Sequence, residues 1–167
     1  MKVIYLHQYF NTPRMSGGVR SYDIAKHLVD SGHMVEMITT DRSSLAGNGW
    51  KISNENGINV HWLSLFYSNK LSYFKRLLAF FSFAYHAAKK GPKLQGDVVF
   101  ATSTPLTIAI PALYISWKMS IPLVFEVRDL WPDVPIAIGV IKNPVIKYLA
   151  KLLEKYTYKK SKAVIAL

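Results

Sequence analysis

Arg128 and Asp129 come directly after a short apolar run, Leu123, Val124, Phe125 and Val127, which opens at Pro122 and reads as a buried strand. In an open parallel sheet the carboxyl ends of the strands face the ligand crevice. Two opposite charges make poor packing material there, so they are available for chemistry. An aspartate at that place can orient or deprotonate a hydroxyl. An arginine can clamp a phosphate or carboxylate through two parallel hydrogen bonds. The same pair could instead close its own turn as a salt bridge, or the aspartate could cap a following helix. Trp131-Pro132, just beyond, offers either a platform for a stacked sugar ring or a rigid apolar latch.

A second constellation is Ser16-Gly17-Gly18-Val19-Arg20. Adjacent glycines let a backbone approach an anion, and the N–H groups opening a helix point at it. Gly17, Gly18 and Arg20 are therefore candidates for binding a sugar or its phosphate, against the plainer reading of a tight turn. The spacing is neither G-x-G-x-x-G nor G-x-x-x-x-G-K-[ST], so the dinucleotide fingerprint and the P-loop are excluded. His7 precedes this loop and is a further candidate for the same crevice. His27, His33, His61 and His86 show no metal-ligand spacing and read as surface or core residues. With no cysteine, disulfides, thiolate zinc sites and cysteine nucleophiles are excluded.

These residues need elements to position them. Val3 to Leu6 reads as a first strand, His7 to Gly18 as a polar loop, and Val19 to Ser31 as a helix ended by Gly32. His33 to Thr40 is the second strand, completing a right-handed βαβ unit. Asp41 to Gly57 reads as an irregular excursion or hairpin, and Ile58 to Leu65 as the third strand. Leu71 to Lys90 is a long helix stopped by Gly91-Pro92, with an apolar face expected along Leu71, Phe74, Leu77, Leu78, Phe81, Ala84, Tyr85 and Ala88. Asp97 to Thr102 is a fourth strand. A helix should start at Thr104-Pro105 and kink at Pro111. Val124 to Val127, a basic helix from Pro144 to Lys160, and Ala163 to Leu167 complete the series. Strands alternate with helices throughout. The expectation is one α/β domain over residues 1–167 with a doubly wound, mostly parallel, Rossmann-like sheet.

The formal net charge of +11, from 21 Lys and Arg against 10 Asp and Glu, calls for an anionic partner. It is concentrated in two places. Lys70, Lys75, Arg76, Lys89, Lys90 and Lys93 lie in one stretch without an acid, and Lys142 to Lys162 holds seven lysines against Glu154 alone. The helices there are basic, aromatic and amphipathic, which suits an anionic bilayer surface. Lys70, Phe74, Lys75, Arg76, Lys89 and Lys90 form the candidate membrane-contacting set. The competing reading is a core-facing stripe with a solvated lysine face. No nucleic acid is expected, because the lysines sit in apolar helices without a reading motif. The longest apolar stretch, Pro105 to Trp117, is too short to span a bilayer, and the amino terminus does not read as a signal peptide. A non-enzymatic module that binds a membrane surface or a polyanion remains the alternative to an enzyme.

The pattern HQYF…P…SGGVRSYDIAKHLVDSGHMVEMITT, then ATSTPLT, then FEVRDLWPD, resembles the N-terminal domain of family 4 glycosyltransferases of the GT-B fold. Within these it is most similar to fucosamine-transferase-like enzymes of bacterial O-antigen, capsule and colanic acid assembly. The resemblance covers essentially the whole chain. It implies a retaining, metal-independent transferase without a cofactor, which takes its sugar from a nucleotide-sugar donor. The implied acceptor is a polyprenyl-diphosphate-linked saccharide at the cytoplasmic face of the membrane. It also implies that these residues supply the acceptor side, with Gly17 and Gly18 near the reacting sugar or donor phosphate. Arg128 and Asp129 would line the acceptor hydroxyl. Many relatives carry a histidine where Arg128 stands, so a histidine-based role is not carried over. The donor nucleotide would sit on a C-terminal domain with a Glu-x7-Glu motif. That domain is absent from this sequence, so the chain is expected to be one half of something longer and inactive by itself.

Overall fold

A computed structural model describes residues 1–42, 49–68 and 71–166. The chain runs β1 (Lys2–Leu6), α1 (Arg20–Asp30), β2 (Met34–Asp41), β3 (Trp50–Glu55), β4 (Ile58–Ser64), α2 (Tyr73–Lys90), β5 (Val98–Ser103), α3 (Ala109–Met119), β6 (Leu123–Val127), α4 (Asp133–Ala137), α5 (Pro144–Lys160) and β7 (Ala163–Ala166). The strands form one sheet in the order β3-β4-β2-β1-β5-β6-β7. Every neighbouring pair is parallel except β3 with β4. The sheet is mostly parallel and Rossmann-like, as expected. From β1 the chain first builds outward through β2 and β4, then returns to β5 on the other side. The strand order therefore reverses between β1 and β5, and a crevice opens at the carboxyl ends of strands flanking such a reversal.

Alternate residues of each strand feed two cores. Tyr5, Met37, Val60 and Trp62 pack with Phe10, Tyr22 and Ala25 on the α1 face. Ile4, Leu6, Ile38, Leu63, Val99 and Phe125 pack with Phe83, Ala87, Ala112 and Ile115 of α2 and α3 on the other. The α1 terminus closes as predicted: Gly32 N–H donates to the Val29 carbonyl at 2.9 Å and His33 N–H to Leu28 at 3.0 Å, the paired bonds of a Schellman ending.

Three local expectations change. The described residues form seven strands rather than six, because Trp50–Glu55 pairs antiparallel with β4. The hairpin option for the 41–57 segment is the one realised at its end; residues 43–48 of that segment lie outside the described residues. Its turn is Asn56-Gly57, both at positive φ (54° and 92°), the mirror-image turn that matches strand twist. Pro111 falls in the first turn of α3, where its missing N–H removes no bond of that helix. The break in regularity comes earlier, in a short 3-10 turn over Leu106–Ile108. Finally, α2 buries only part of the face expected of it. Ala79, Phe83, Ala84 and Ala87 point inward, whereas Phe74, Leu78, Phe81 and Tyr85 are exposed. The helix is apolar nearly all round, and the small side chains are the ones that let it approach α3 closely. The apolar side of α5 is also unburied: Val145, Tyr148, Leu149, Leu152 and Tyr156 are all exposed.

Candidate active site

Four strands deliver side chains to one place from their carboxyl ends. β1 leads into His7 and Tyr9, β2 into Arg42, β5 into Thr104, and β6 into Arg128 and Asp129. Together with Asn11 and the Ser16-Gly17-Gly18 bend they line an open cleft of about 490 Å³. The glycine bend and the arginine–aspartate pair therefore share one space.

Each wall is held by identifiable bonds. The backbone N–H of Arg128 donates to Ser103 Oγ at 3.0 Å. The Thr104 hydroxyl donates to Asp129 Oδ2 at 2.9 Å, which fixes an exposed carboxylate against the end of β5. Arg128 and Asp129 thus do not close a salt bridge on each other; the described ion pairs do not include them. Across the cleft, Asn11 Nδ2 donates to the Tyr9 and Gly18 carbonyls, both at 3.3 Å, and Asn11 Oδ1 accepts from Arg42 Nη2 at 2.7 Å. Gly17 is at φ +130°, and a Cβ there would sit 2.5 Å from Asn11 Nδ2. A side chain would push the amide out, so this glycine is required by the bend itself. At Gly18 an added Cβ meets nothing within 4 Å, which leaves backbone open to the cleft.

Electrostatically the cleft is cationic. His7 is buried, its Nδ1 has no hydrogen-bond partner, and its pKa is pushed down to about 3. Burial is the main cause, followed by the positive charges of Arg128 and Arg42. His7 is therefore neutral at physiological pH, beside two guanidiniums. Tyr9 is pushed well above the usual phenol range, again chiefly by burial. It lies 5.3 Å from the Tyr67 ring, with the Arg42 guanidinium 5.7 Å from its own ring centre. Such a cleft can receive phosphate oxygens on its arginines and present one carboxylate to a hydroxyl. Among the described residues no group of three or more His, Asp or Glu could hold a metal ion.

Of the site residues read from the sequence, His7, Gly17, Gly18, Arg128 and Asp129 meet in the cleft. Arg20 does not line it. Its Nε donates to Oε1 of the fully buried Glu126 at 2.9 Å, so it serves the joint between α1 and β6. Trp131 lies outside the cleft too, lining an adjoining apolar cavity of about 670 Å³ between α2, α3 and the α4–α5 segment. In the candidate membrane-contacting set, Phe74, Lys75 and Lys89 are exposed on α2 and Arg76 is half-buried at that apolar cavity. The Lys90 ammonium sits 5.4 Å from the centre of the Trp50 ring. Lys70 lies outside the described residues. No helix among the described residues is long and apolar enough to cross a membrane. Tyr9, Asn11, Arg42, Tyr67 and Thr104 were missed. Arg42 could have been found by the rule that singled out Arg128, since it too is a charge just past an apolar strand.

The sequence profile of the glycosyl transferase 4-like domain matches residues 17–167. No curated protein matches the chain. Among solved structures, sucrose-phosphate synthase from Thermosynechococcus elongatus aligns over 98% of this chain and 41% of its own, with 10% identity and a TM-score of 0.62. Trehalose-6-phosphate synthase from Burkholderia multivorans aligns over 98% and 38%, with 9% identity and a TM-score of 0.58. The catalytic domain of starch synthase IV from Arabidopsis thaliana, bound to ADP and acarbose, aligns over 76% and 34%, with 18% identity and a TM-score of 0.54. At these identities the likeness is one of fold, that of a single GT-B domain, and the chain spans less than half the length of each neighbour. The profile match takes in both cleft walls, from Gly17 and Gly18 to Arg128 and Asp129, and the chain belongs to the glycosyl transferase 4-like domain family.

Proposed function

We propose that the chain is the acceptor-binding half of a retaining, hexosyl-type glycosyltransferase. It would move a sugar from a nucleotide-sugar donor to a polyprenyl-diphosphate-linked saccharide in the assembly of a cell-surface polysaccharide such as lipopolysaccharide or capsule. The reaction would take place on the inner face of the cytoplasmic membrane. In this reading Asp129 accepts a hydrogen bond from the acceptor hydroxyl and aims its oxygen at the sugar. Arg128 and Arg42 face phosphate oxygens, which lets the site work without a metal ion or cofactor. The bond from the sugar to the donor diphosphate breaks, the bond to the acceptor oxygen forms, and the hydroxyl proton leaves with the departing phosphate. A second, C-terminal domain holds most of the nucleotide, and the 167 residues by themselves do not turn over. The observation that carries the reading is the meeting of Gly17-Gly18 with Arg128-Asp129 in one open cationic cleft. A fold neighbour that carries ADP with a sugar analogue supports the donor class.

The test is transfer of radiolabelled sugar from a panel of nucleotide sugars to a polyprenyl-diphosphate saccharide, with the donor-binding domain present. Asp129→Asn should lower the rate by about 100-fold, the scale of a lost proton-handling or orienting group. It should leave stability nearly unchanged, since the Asp129 side chain is exposed and, among the described residues, accepts one hydrogen bond, from the Thr104 hydroxyl. An Asp129→Asn enzyme as fast as the parent would refute the assignment.

A further inference from the structure

The polar cleft and the apolar cavity are not separate. Tyr9, Tyr67 and Thr104 line both. On the cleft side of this shared wall stands Arg42 and on the cavity side Arg76, and both guanidiniums act electrostatically on the Tyr9 phenol. Nε of Arg76 is buried without a hydrogen-bond partner. Among the described residues no charged side chain besides Arg76 lines the cavity; apart from Tyr9, Tyr67, Thr104 and Thr107 its walls are apolar, from α2, α3, α4, α5 and the turns beside them. Its volume of about 670 Å³ falls in the range of pockets that bury small organic ligands. Yet its outer wall is wet: Ile138 is 70% exposed and Leu149 55%.

A site with cations at one end and an uncharged apolar trough at the other matches an amphiphile whose anionic head joins a hydrocarbon chain. A purely apolar occupant would bring no anion to the Arg42, Arg76 and Arg128 guanidiniums. A purely polar one would leave the trough exposed to water. We propose that the cavity between α2 and α5 binds the hydrocarbon chain of a phosphate-linked acceptor, with the phosphate held where Tyr9, Arg42 and Arg76 meet. This rests on the lipid-linked reading above and adds to it a location for the lipid. The saccharide then lies in the cleft between Gly18 and Asp129, and the chain runs out along the α2–α5 side, the face on which the exposed apolar and basic side chains stand.

Trp131 lines the cavity and reports on it through fluorescence, with Trp131→Phe identifying its share of the signal. The probes are farnesyl diphosphate, inorganic diphosphate as head alone, and farnesol as tail alone. Farnesyl diphosphate should bind at least about tenfold more tightly than either part. The double change I138D/L149D, at two exposed positions that the fold does not need, should abolish that advantage and leave inorganic diphosphate within about twofold. Arg76→Gln should weaken both phosphate-bearing probes. Equal binding of farnesyl and inorganic diphosphate, or farnesol binding as tightly as farnesyl diphosphate, overturns the site. It is equally overturned if I138D/L149D changes only binding to phosphatidylglycerol vesicles, which makes this face a bilayer contact, or only self-association, which makes it a contact between copies. Transfer to a short-chain soluble acceptor separates the two claims. If transfer proceeds and ignores both tail length and I138D/L149D, the lipid site fails and the transferase reading stands. If farnesyl diphosphate binds as expected but no nucleotide sugar is ever consumed, the transferase reading fails and the site stands.

Discussion

His7 shows how a single side chain reports the character of the cleft. Its pKa is held near 3, below the ordinary 6.5, by burial and by two neighbouring arginines. Between pH 6.5 and 3 the unfolded chain takes up a proton at this position and the folded chain does not. The stability tied to His7 is therefore complete above 6.5 and declines as pH falls, by about 1.4 kcal/mol per pH unit for one proton. A His7→Phe variant should lose less melting temperature than the parent between pH 7 and pH 5. Parallel pH profiles for the two proteins would show that His7 takes no part in the acid sensitivity. The site residues legible in the sequence are His7, Arg128 and Asp129, which strand ends place, and the glycine pair, which the start of α1 places. Arg20 and Trp131 were misplaced for one physical reason. The sheet places neither: Arg20 opens α1, so helix phase decides where its side chain goes, and Trp131 follows the end of β6 in a turn, whose path decides for it; neither is written in the local pattern.

At the level of elements, the contact that most deserves measurement joins α1 to the strands beneath it. Arg20 holds Glu126, Glu126 Oε2 accepts from the Thr102 hydroxyl at 2.8 Å, and Thr102 Oγ1 lies 3.2 Å from the Tyr5 hydroxyl. The run crosses from α1 to β6, β5 and β1. Removing the cation leaves a carboxylate in the core with one hydroxyl for company, so Arg20→Met should cost about 3 kcal/mol in a urea titration. Adding Glu126→Gln should recover part of that loss. If Arg20→Met unfolds at the parent's midpoint, the pair does not hold the helix in place. The inner parallel strands were readable because strands buried on both faces are continuous apolar runs. β3 was not, since its sequence, Trp50 to Glu55, is largely polar and belongs to a sheet edge. Its one strong signal was the Asn56-Gly57 turn that follows it.

For the molecule as a whole, charge and apolar surface coincide. α2 shows Phe74, Leu78, Phe81 and Tyr85 to solvent, α5 shows Tyr148, Leu149 and Leu152, and lysines flank both rows. Lys89 and Lys160 lie 5.2 and 5.7 Å from the ring centres of Tyr85 and Tyr156. Aromatic rings beside ammonium groups suit the headgroup layer of an anionic membrane. In flotation assays the chain should rise with phosphatidylglycerol vesicles. Changing Lys75, Lys89, Lys155 and Lys159 to Glu should reduce this by at least about tenfold, at roughly 1 kcal/mol per lysine. Loss of flotation with diphosphate binding intact fits a transferase that rests on the bilayer. Loss of both together favours a simple polyanion-binding module. Periodicity alone does not choose between a buried and a solvent-facing apolar stripe on these helices, because the decision lies in which neighbours arrive. One bond set outlasts either outcome. The amide of Asn11 grips the Arg42 guanidinium with its oxygen and, with its nitrogen, the carbonyls of Tyr9 and of Gly18 in the glycine bend. An amide is flat and stiff, so a guest that tugs the cation must also reset the bend. The glycine bend and the Arg42 guanidinium therefore move as a single clasp.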